Sequence, residues 1–561
     1  MPLLGDAGLT LLGDVADNRG VTKDGCDDWL AWVLLFLGSW ALGDEAAVER
    51  AFRRHLTQLS CQLLLVLLLV FLLSQSRPDV RARVRGPGRQ LLAGVFVVFV
   101  LVVVCAAAAV GAPASQLLRY PYLTDAVGEV VTVNWASNKS VADGSASWGP
   151  AGSSCDSDRA SATRRSIVVH GRGEYQWKAV IGPLSPGKAY CYRIFGGGID
   201  LLGSERAPRL IAPASRSQRS FSFVVFGDSG AVSGRSGNPD QARLMKQIAS
   251  SGARFALFTG DIPYAEGVRT VESAYGDLRY RLSGVFAARF WPAAGRSLPI
   301  FLALGNHGLS RSFIANWPQA QAVAASAGRY RLDTYSGADR TRSAEYPSGW
   351  YAFDFGHARF YVLDTAWTNA NLGTAKDIYQ VDFDYHWNTA KTGCKPASCG
   401  LERTWLARDL ARHRSRLKFA VFHFPLYSDN VSEASDTYLR RDGPAGPKSL
   451  EALLGRNGVH IVFNGHAHLY QRNRAQHGII SYITGGGGAT LAPVDSCSPF
   501  DAYAIGWSPP TRTGSACNAP KPTSTGQVTH FLLVNVNGRK VTVTPTDSRG
   551  RTFDVQTYDF G

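Results

Sequence analysis

The chain has 561 residues, 45% of them hydrophobic and 18% charged, with a formal net charge of +15. That length exceeds a single core and predicts two or three domains, while the ordinary globular composition excludes disorder throughout. The positive excess suits anionic small molecules and surfaces, but the chain lacks the spaced basic and aromatic array of a nucleic-acid channel, which argues against nucleic acid as a stable partner.

Acidic and basic residues balance over residues 1–115, so the whole excess lies beyond them. This region carries apolar stretches at residues 29–42, 59–73 and 91–111, the last long enough to cross a bilayer. Arg77, Arg81, Arg83, Arg85 and Arg89 precede it, a pattern that holds this end in the cytoplasm and sends the downstream chain outside. Ala112, Pro113 and Ala114 before Ser115 resemble a signal-peptidase site. Residues 1–115 are therefore expected to be a signal peptide or, if uncleaved, a membrane anchor. The remainder would then be secreted or held on the outer face. A signal opening only near residue 80 leaves two readings: translation from Val80 or Val84, with residues 1–79 a mis-assigned start, or a genuine multi-spanning anchor. Six of the nine cysteines come after residue 115, and an even number in an exported chain predicts disulfides. Proximity favours Cys394 with Cys399 and Cys497 with Cys517, leaving Cys155 for Cys191.

Residues 116–215 read as short alternating strands, at residues 130–135, 142–148, 175–181 and 188–195, with Trp135 as a core anchor. Their spacing, with a turn signal at Leu184, Ser185, Pro186 and Gly187, predicts an all-β sandwich. No titratable cluster stands out, so this domain is expected to pack or to lip the substrate site. Residues 213–220, rich in Ser and Arg, read as the linker onward.

The third domain, residues 216–561, opens on an apolar run at residues 221–226 that ends in Gly227, Asp228, Ser229 and Gly230. A helix is expected from Pro239 to Ser250, then a second run, residues 255–258, ending in Gly260, Asp261, Ile262, Pro263 and Tyr264. Continuous apolar runs are the pattern of strands buried on both faces, as in parallel sheets. Residues 299–304 end in Gly305, Asn306 and His307; residues 418–422 end in His423; residues 459–463 end in Asn464, Gly465, His466, Ala467 and His468. Five strands thus deliver carboxylate, phenol, amide and imidazole at their carboxyl ends, where open α/β sheets gather ligands. A packed core has no use for so many converging polar groups, and a metal site accounts for them.

These motifs resemble the five blocks of the purple acid phosphatases, within the calcineurin-like metallophosphoesterase superfamily. The resemblance implies two β-sheets packed face to face with helices outside, preceded by a fibronectin type III-like sandwich. Strands at residues 530–536 and 541–546 would form the closing edge of a second sheet. It further implies that Asp228, Asp261, Tyr264 and His468 hold a ferric ion. Asp261 would bridge to a divalent ion (zinc, manganese or iron) also held by Asn306, His423 and His466. That division suits a hard anionic shell for Fe(III) and imidazole and amide for the divalent ion. The implied activity is hydrolysis of small anionic phosphomonoesters, a metal-bound hydroxide attacking phosphorus and His307 serving the phosphoryl group or the leaving alcohol. A diesterase or nucleotidase with the same ions, or a surface binding protein with a relict site, are the alternatives.

Two departures from the family pattern stand out. Gly308 replaces an acid beside His307, and no histidine occurs between His423 and His460. The leaving-group acid is thus His307, a water or another group such as Tyr427. The glycine run at residues 485–488 reads as a tight turn beside the metal rim, lacking the lysine of a phosphate loop. Arg472 either meets anionic substrate or makes a structural ion pair. His357, His386, His413 and His477 carry no supporting pattern.

Overall fold

The computed structural model describes residues 116–169, 172–229, 239–261, 291–303, 305, 333–334, 350–365, 400–414, 416–430, 439–443 and 445–561. All of them fall in one compact unit, Val110–Gly561; the other unit, Met1–Ala109, lies outside the described residues. So do the expected signal or anchor and the Cys394 with Cys399 pairing. No described helix is long and apolar enough to cross a membrane.

Residues 117–211 form β1 (Leu117–Val127), β2 (Val130–Asn138), β3 (Gly144–Pro150), β4 (Asp158–Ser161), β5 (Thr163–Val169), β6 (Arg172–Ile181), β7 (Ala189–Gly196), β8 (Ile199–Asp200) and β9 (Arg209–Ile211), with β1 and β2 buried along nearly their whole length. They form two antiparallel sheets, β1-β2-β6-β5 and β4-β3-β7-β8, with β9 beside β7. Trp135 on β2 lies opposite Trp177 on β6, both fully buried and stacked at 6.3 Å. The Trp177 indole N–H donates to Ser137 Oγ at 2.8 Å, which satisfies its polar atom inside the core. Cys155 and Cys191 are bridged, as are Cys497 and Cys517.

The expected linker starts packed, with Pro213 and Ala214 buried, and then runs exposed at Arg216, Ser217, Arg219 and Ser220. Ala212 and Ala214 are buried, and one hydrophobic cluster runs without a break from Leu117 through Ala214 to Phe221 and beyond. Arg254 Nη2 donates to the Ala212 carbonyl at 2.6 Å, and Tyr192 Oη donates to the Arg296 carbonyl at 2.7 Å. Asp125 on β1 is wholly buried, with Thr124 Oγ1 donating to its Oδ2 at 3.2 Å. Burial pushes its carboxyl up to about 7, against the pull of the neighbouring Lys178. Asp125 therefore holds its proton more tightly in the folded chain than in the unfolded one. Its stabilising contribution is full below the ordinary aspartate range near 4 and is lost as pH rises through about 7. Asp125→Asn should flatten the fall in melting temperature between those pH values; an unchanged profile would count against this account.

The rest of the unit contains β10 (Ser220–Phe226), α1 (Pro239–Ser250), β11 (Ala256–Phe258), β12 (Ile300–Leu302), β13 (Asp333–Thr334), β14 (Tyr351–Phe355), β15 (Ala358–Val362), α2 (Leu401–Arg412), β16 (Leu417–Val421), α3 (Leu450–Arg456) and β17 (Val459–Asn464). It continues with β18 (Tyr470–Asn473), β19 (Ile480–Thr484), β20 (Asp501–Ser508), β21 (Thr513–Cys517), β22 (His530–Asn537), β23 (Lys540–Asp547) and β24 (Gln556–Asp559). One sheet has the order β12-β11-β10-β22-β23-β24 and the other β13-β14-β15-β16-β17-β19-β18-β20-β21. The β10, β11 and β12 strands are mutually parallel, as are β15, β16, β17 and β19. Residues 530–546 do close one side of a sheet, except that the outermost strand lies beyond them. Strands β22 and β23 join the first sheet, where β22 pairs directly with β10, and the edge falls to β24. An apolar alternating strand marks burial, but burial alone does not say which sheet takes it.

Aromatic rings fill the space between the sheets. Phe223 stacks on Phe255 at 5.2 Å, and Phe301, Phe353, Phe360 and Phe419 stack in succession at 3.6, 5.0 and 5.1 Å. Each buried phenylalanine contributes roughly 1.5–3 kcal/mol. Leu244, Met245 and Ile248 of α1 cover the outer face of the first sheet; Leu406 and Leu410 of α2, with Leu453 and Leu454 of α3, cover that of the second. Both faces of the parallel strands are thereby dry. Polar side chains at their carboxyl ends are held by a stiff frame.

Candidate metal centre

Asp228 comes after β10, Asp261 stands just beyond β11, His423 beyond β16, and His466 and His468 beyond β17. Backbone hydrogen bonds carry the sheets into these loops: Asp228 N donates to Gly260 O at 3.0 Å, Ser229 N to Asp261 O at 3.2 Å, and Gly465 N to His423 O at 3.0 Å. Asp228, Asp261 and His466 all have positive φ, at 54°, 60° and 68°. Such a conformation costs a non-glycine residue ~1–3 kcal/mol and collects at functional sites. Here the chain turns sharply within three residues of each strand end and leaves these residues on the rim.

These turns bring the side chains together. Ligand atoms of Asp228, Asp261 and His423 all lie within 4.8 Å of one another. His423 Nε2 is 3.2 Å from Asp261 Oδ2, and His468 Nε2 is 3.6 Å from Asp228 Oδ1. The His466 ring lies beside those of His423 and Phe424, at centroid distances of 5.2 and 4.4 Å, and its backbone N–H lies 3.1 Å from each Asp228 oxygen. Tyr264, Asn306, His307 and Gly308 lie outside the described residues.

The second set of contacts orients the rings. His423 Nδ1 faces the Thr259 carbonyl at 2.9 Å, and His468 Nδ1 faces that of Thr490 at 2.6 Å. A carbonyl can only accept, so each Nδ1 carries a proton and each Nε2 is turned toward the carboxylates. Sequence reasoning missed Thr259 and Thr490, because the working atom is a backbone carbonyl that every residue type carries. Burial pushes the Asp228 carboxyl above the usual range; the His468 and His423 imidazoles oppose that rise and the Asp261 charge adds to it. Burial alone would lower the His423 imidazole, but Asp261 and Asp228 outweigh it and raise it to about 8. Two carboxylates at 0 and 2% exposure, facing imidazole Nε2 atoms, crowd negative charge into a buried site. A bound cation would balance them, and the oxygen and nitrogen donors fit a hard or borderline metal ion.

The glycines of this rim are spacers. A Cβ on Gly305 would fall 1.8 Å from Asp261 Oδ1 and 2.4 Å from its backbone nitrogen. Gly305→Ala should therefore displace Asp261, and a misplacement of about 1 Å can cost ~10²-fold in rate. Metal content and turnover measured on that variant should fall together. In the glycine run, Gly487 N donates to Gly227 O at 2.9 Å, His530 N donates to Gly486 O at 3.0 Å, and Ala489 N donates to Asp228 O at 2.8 Å. The run is seated on the Asp228 loop through these backbone bonds.

Other candidates are settled by their contacts. Tyr427 is buried and donates to Glu451 Oε1 at 2.8 Å, so its proton is committed away from the rim. Arg472 forms a two-pronged ion pair with Asp554 at 2.8 and 2.7 Å. His357 bonds the carbonyl of Gly538 at 2.6 Å and His413 that of Asp409 at 2.9 Å, as structural histidines do. His386 lies outside the described residues.

Comparison with known proteins gives a consistent result. The calcineurin-like phosphoesterase family model matches residues 221–470. Purple acid phosphatase 21 of Arabidopsis thaliana is 24% identical over 297 residues, 52% of this chain and 52% of its own length. Purple acid phosphatase 23 of the same plant is 24% identical over 340 residues, 56% of this chain and 63% of its own. The chain thus spans between 52% and 63% of these two relatives. The structure of a purple acid phosphatase from yellow lupin (Lupinus luteus) seeds aligns with a TM-score of 0.53 at 18% identity. That alignment covers 79% of this chain and 74% of the lupin chain, a likeness of fold.

Proposed function

We propose that the chain is an exported hydrolase of small phosphomonoesters of the purple acid phosphatase type, since a calcineurin-like phosphoesterase family model matches residues 221–470 and two purple acid phosphatases are 24% identical to it. The observation that carries this reading is the convergence of Asp228, Asp261 and His423 within 4.8 Å at the carboxyl ends of parallel strands from two sheets. The family's centre is dinuclear. In our reading Asp228, Asp261, Tyr264 and His468 hold Fe(III), while Asp261, Asn306, His423 and His466 hold a divalent zinc, manganese or iron. When bound, such a pair polarises phosphoryl oxygens and acidifies water.

The chain's own residues do the rest. Asp228 and Asp261 supply fixed negative charge in a dry site, where it acts strongly. Thr259 O and Thr490 O fix the tautomers of His423 and His468 through Nδ1. We assign His307 to hydrogen-bond the phosphoryl group and to protonate the departing alcohol, from its place in the Gly-Asn-His motif. Residues 1–115 act as signal or anchor in this reading, residues 116–215 as a fibronectin-type accessory sandwich and residues 216–561 as the catalytic part. The two disulfides accord with an oxidising compartment.

The test uses purified full-length protein, metal analysis, a visible spectrum and paired assays on p-nitrophenyl phosphate and its bis ester. Two metals per chain, a violet charge-transfer band lost in Tyr264→Phe, and preference for the monoester are expected. A colourless, metal-loaded protein that favours the diester would replace this reading with a diesterase. Bound metal without turnover of either ester would leave only a binding protein.

A further inference from the structure

A second site lies at the other end of the strands. A cavity of about 290 Å³ is lined by Arg441, Pro447, Ala452, Gly455, Arg456 and His477, well above the ~15 Å³ that holds one water. α3 ends at Arg456, just before β17, and His477 stands just before β19, which runs parallel to β17. The cavity is therefore at the amino ends of these strands. His466 and His468 lie past the carboxyl end of β17, roughly 20 Å away along six residues at ~3.3 Å each.

Cationic side chains converge here with little to neutralise them. Arg441 and Arg456 are exposed, and among the described residues neither guanidinium pairs with a carboxylate. Arg456 Nη1 donates to the Pro447 carbonyl at 3.1 Å, leaving its other donors available. Arg403 Nε donates to Lys448 O at 3.0 Å; burial and the facing Arg456 charge lower its pKa. Nearby acids are already engaged. Asp442 is paired with Arg440, Nε to Oδ1 at 2.8 Å. Glu451 is fully buried; its Oε1 accepts from Tyr427 Oη at 2.8 Å and faces His477 Nδ1 at 3.2 Å, and its Oε2 accepts from Arg441 N at 2.7 Å.

Glu451 thus holds one nitrogen of His477 and leaves Nε2 for another partner. His477 also sits at a positive φ of 51°, and a Cβ on Gly455 would fall 2.6 Å from its carbonyl oxygen. The His477 turn and the end of α3 are therefore packed backbone to backbone, which fixes the imidazole beside the two arginines. Guanidinium forks match the oxygen spacing of phosphate groups. We propose that this cavity binds a phosphate-class oxyanion, free or at the end of a short phosphorylated chain, through Arg441, Arg456 and His477. The site is independent of the metal centre.

Calorimetric titration of the metal-loaded full chain tests it, using inorganic phosphate and, separately, non-hydrolysable methylenediphosphonate. Two classes of site are expected, one at the metals and one here. Arg441→Gln/Arg456→Gln should weaken the second class at least ~10-fold, an order consistent with losing charged hydrogen bonds, and leave ester hydrolysis unchanged. His477→Asn, a milder change, should weaken it by several-fold with the fold retained by circular dichroism. Arg408→Gln removes an exposed charge elsewhere on α2 and should have no comparable effect. A second class seen with methylenediphosphonate alone, and lost in the double variant, assigns the ligand to a phosphorylated chain. A double variant that binds as the parent does, or an equal loss in Arg408→Gln, overturns the proposal.

Discussion

Replacement of Asp261 by asparagine is expected to remove both metals and at least ~10³-fold of the phosphatase rate, beyond the 10–100-fold usual for a partner that only orients a ligand. The carboxylate is 2% exposed, lies 3.2 Å from His423 Nε2 and shares its pocket with Asp228. An amide keeps the shape but loses the charge that holds a cation. Stability should respond with opposite signs in the two metal states. In chelator-stripped protein, Asp228 and Asp261 repel each other, and burial disfavours the ionised Asp228. Asp261→Asn should therefore raise the melting temperature of the stripped protein and lower that of metal-treated protein relative to the parent. Metal content and paired melting curves read both effects. If the variant keeps two metals per chain, Asp261 is not the bridging ligand.

Arg359→Met should give the largest loss of stability among single changes in the catalytic sheets. Arg359 is 1% exposed on β15; its Nε and Nη2 reach the two Asp409 oxygens of α2 at 2.7 and 2.6 Å, and its Nη1 reaches Asp354 Oδ1 on β14 at 2.9 Å. Against burial, which would raise it, these bonds hold the Asp409 carboxyl below its usual range. That contribution is present above the ordinary aspartate range and is lost as pH falls through the lowered value. Breaking one side of a buried pair costs ~3–5 kcal/mol because the other charge stays behind. The melting temperature should fall by roughly 5–10 °C. Arg359→Met with Asp409→Leu should recover most of it, since Asp409 is no longer stranded and Asp354 keeps its pairs with Arg216 and Arg416. Arg359→Lys should recover less, because ammonium lacks the planar fork. If the double variant is no better than the single one, packing of the arginine stem rather than its charge is responsible.

Much of the metal rim is legible along the chain because two local signals coincide there. Apolar runs such as residues 221–226 and 418–422 mark strands dry on both faces, and a polar residue directly after such a run falls at the sheet's edge. Asp228, Asp261, His423, His466 and His468 stand one to five residues beyond such runs, a placement read with no knowledge of neighbours. The α1 helix, Pro239–Ser250, is likewise declared by its own periodicity. Its buried Leu244, Met245 and Ile248 fall on one face.

Sheet membership obeys a different logic. Residues 530–537 carry the same alternation whether they close one sheet or lie inside the other, and only the competition among distant partners seats β22 against β10. Left-handed backbone at Asp228, Asp261 and His466, the carbonyls of Thr259 and Thr490, and the spacing role of Gly305 are equally unreadable along the chain. Residue type records hydrophobicity, charge and ligand chemistry, so the order of amino acids is enough to say which atoms are available at the rim. Angles, tautomers and close approaches arise only when segments hundreds of positions apart press together, and they belong to the folded molecule alone.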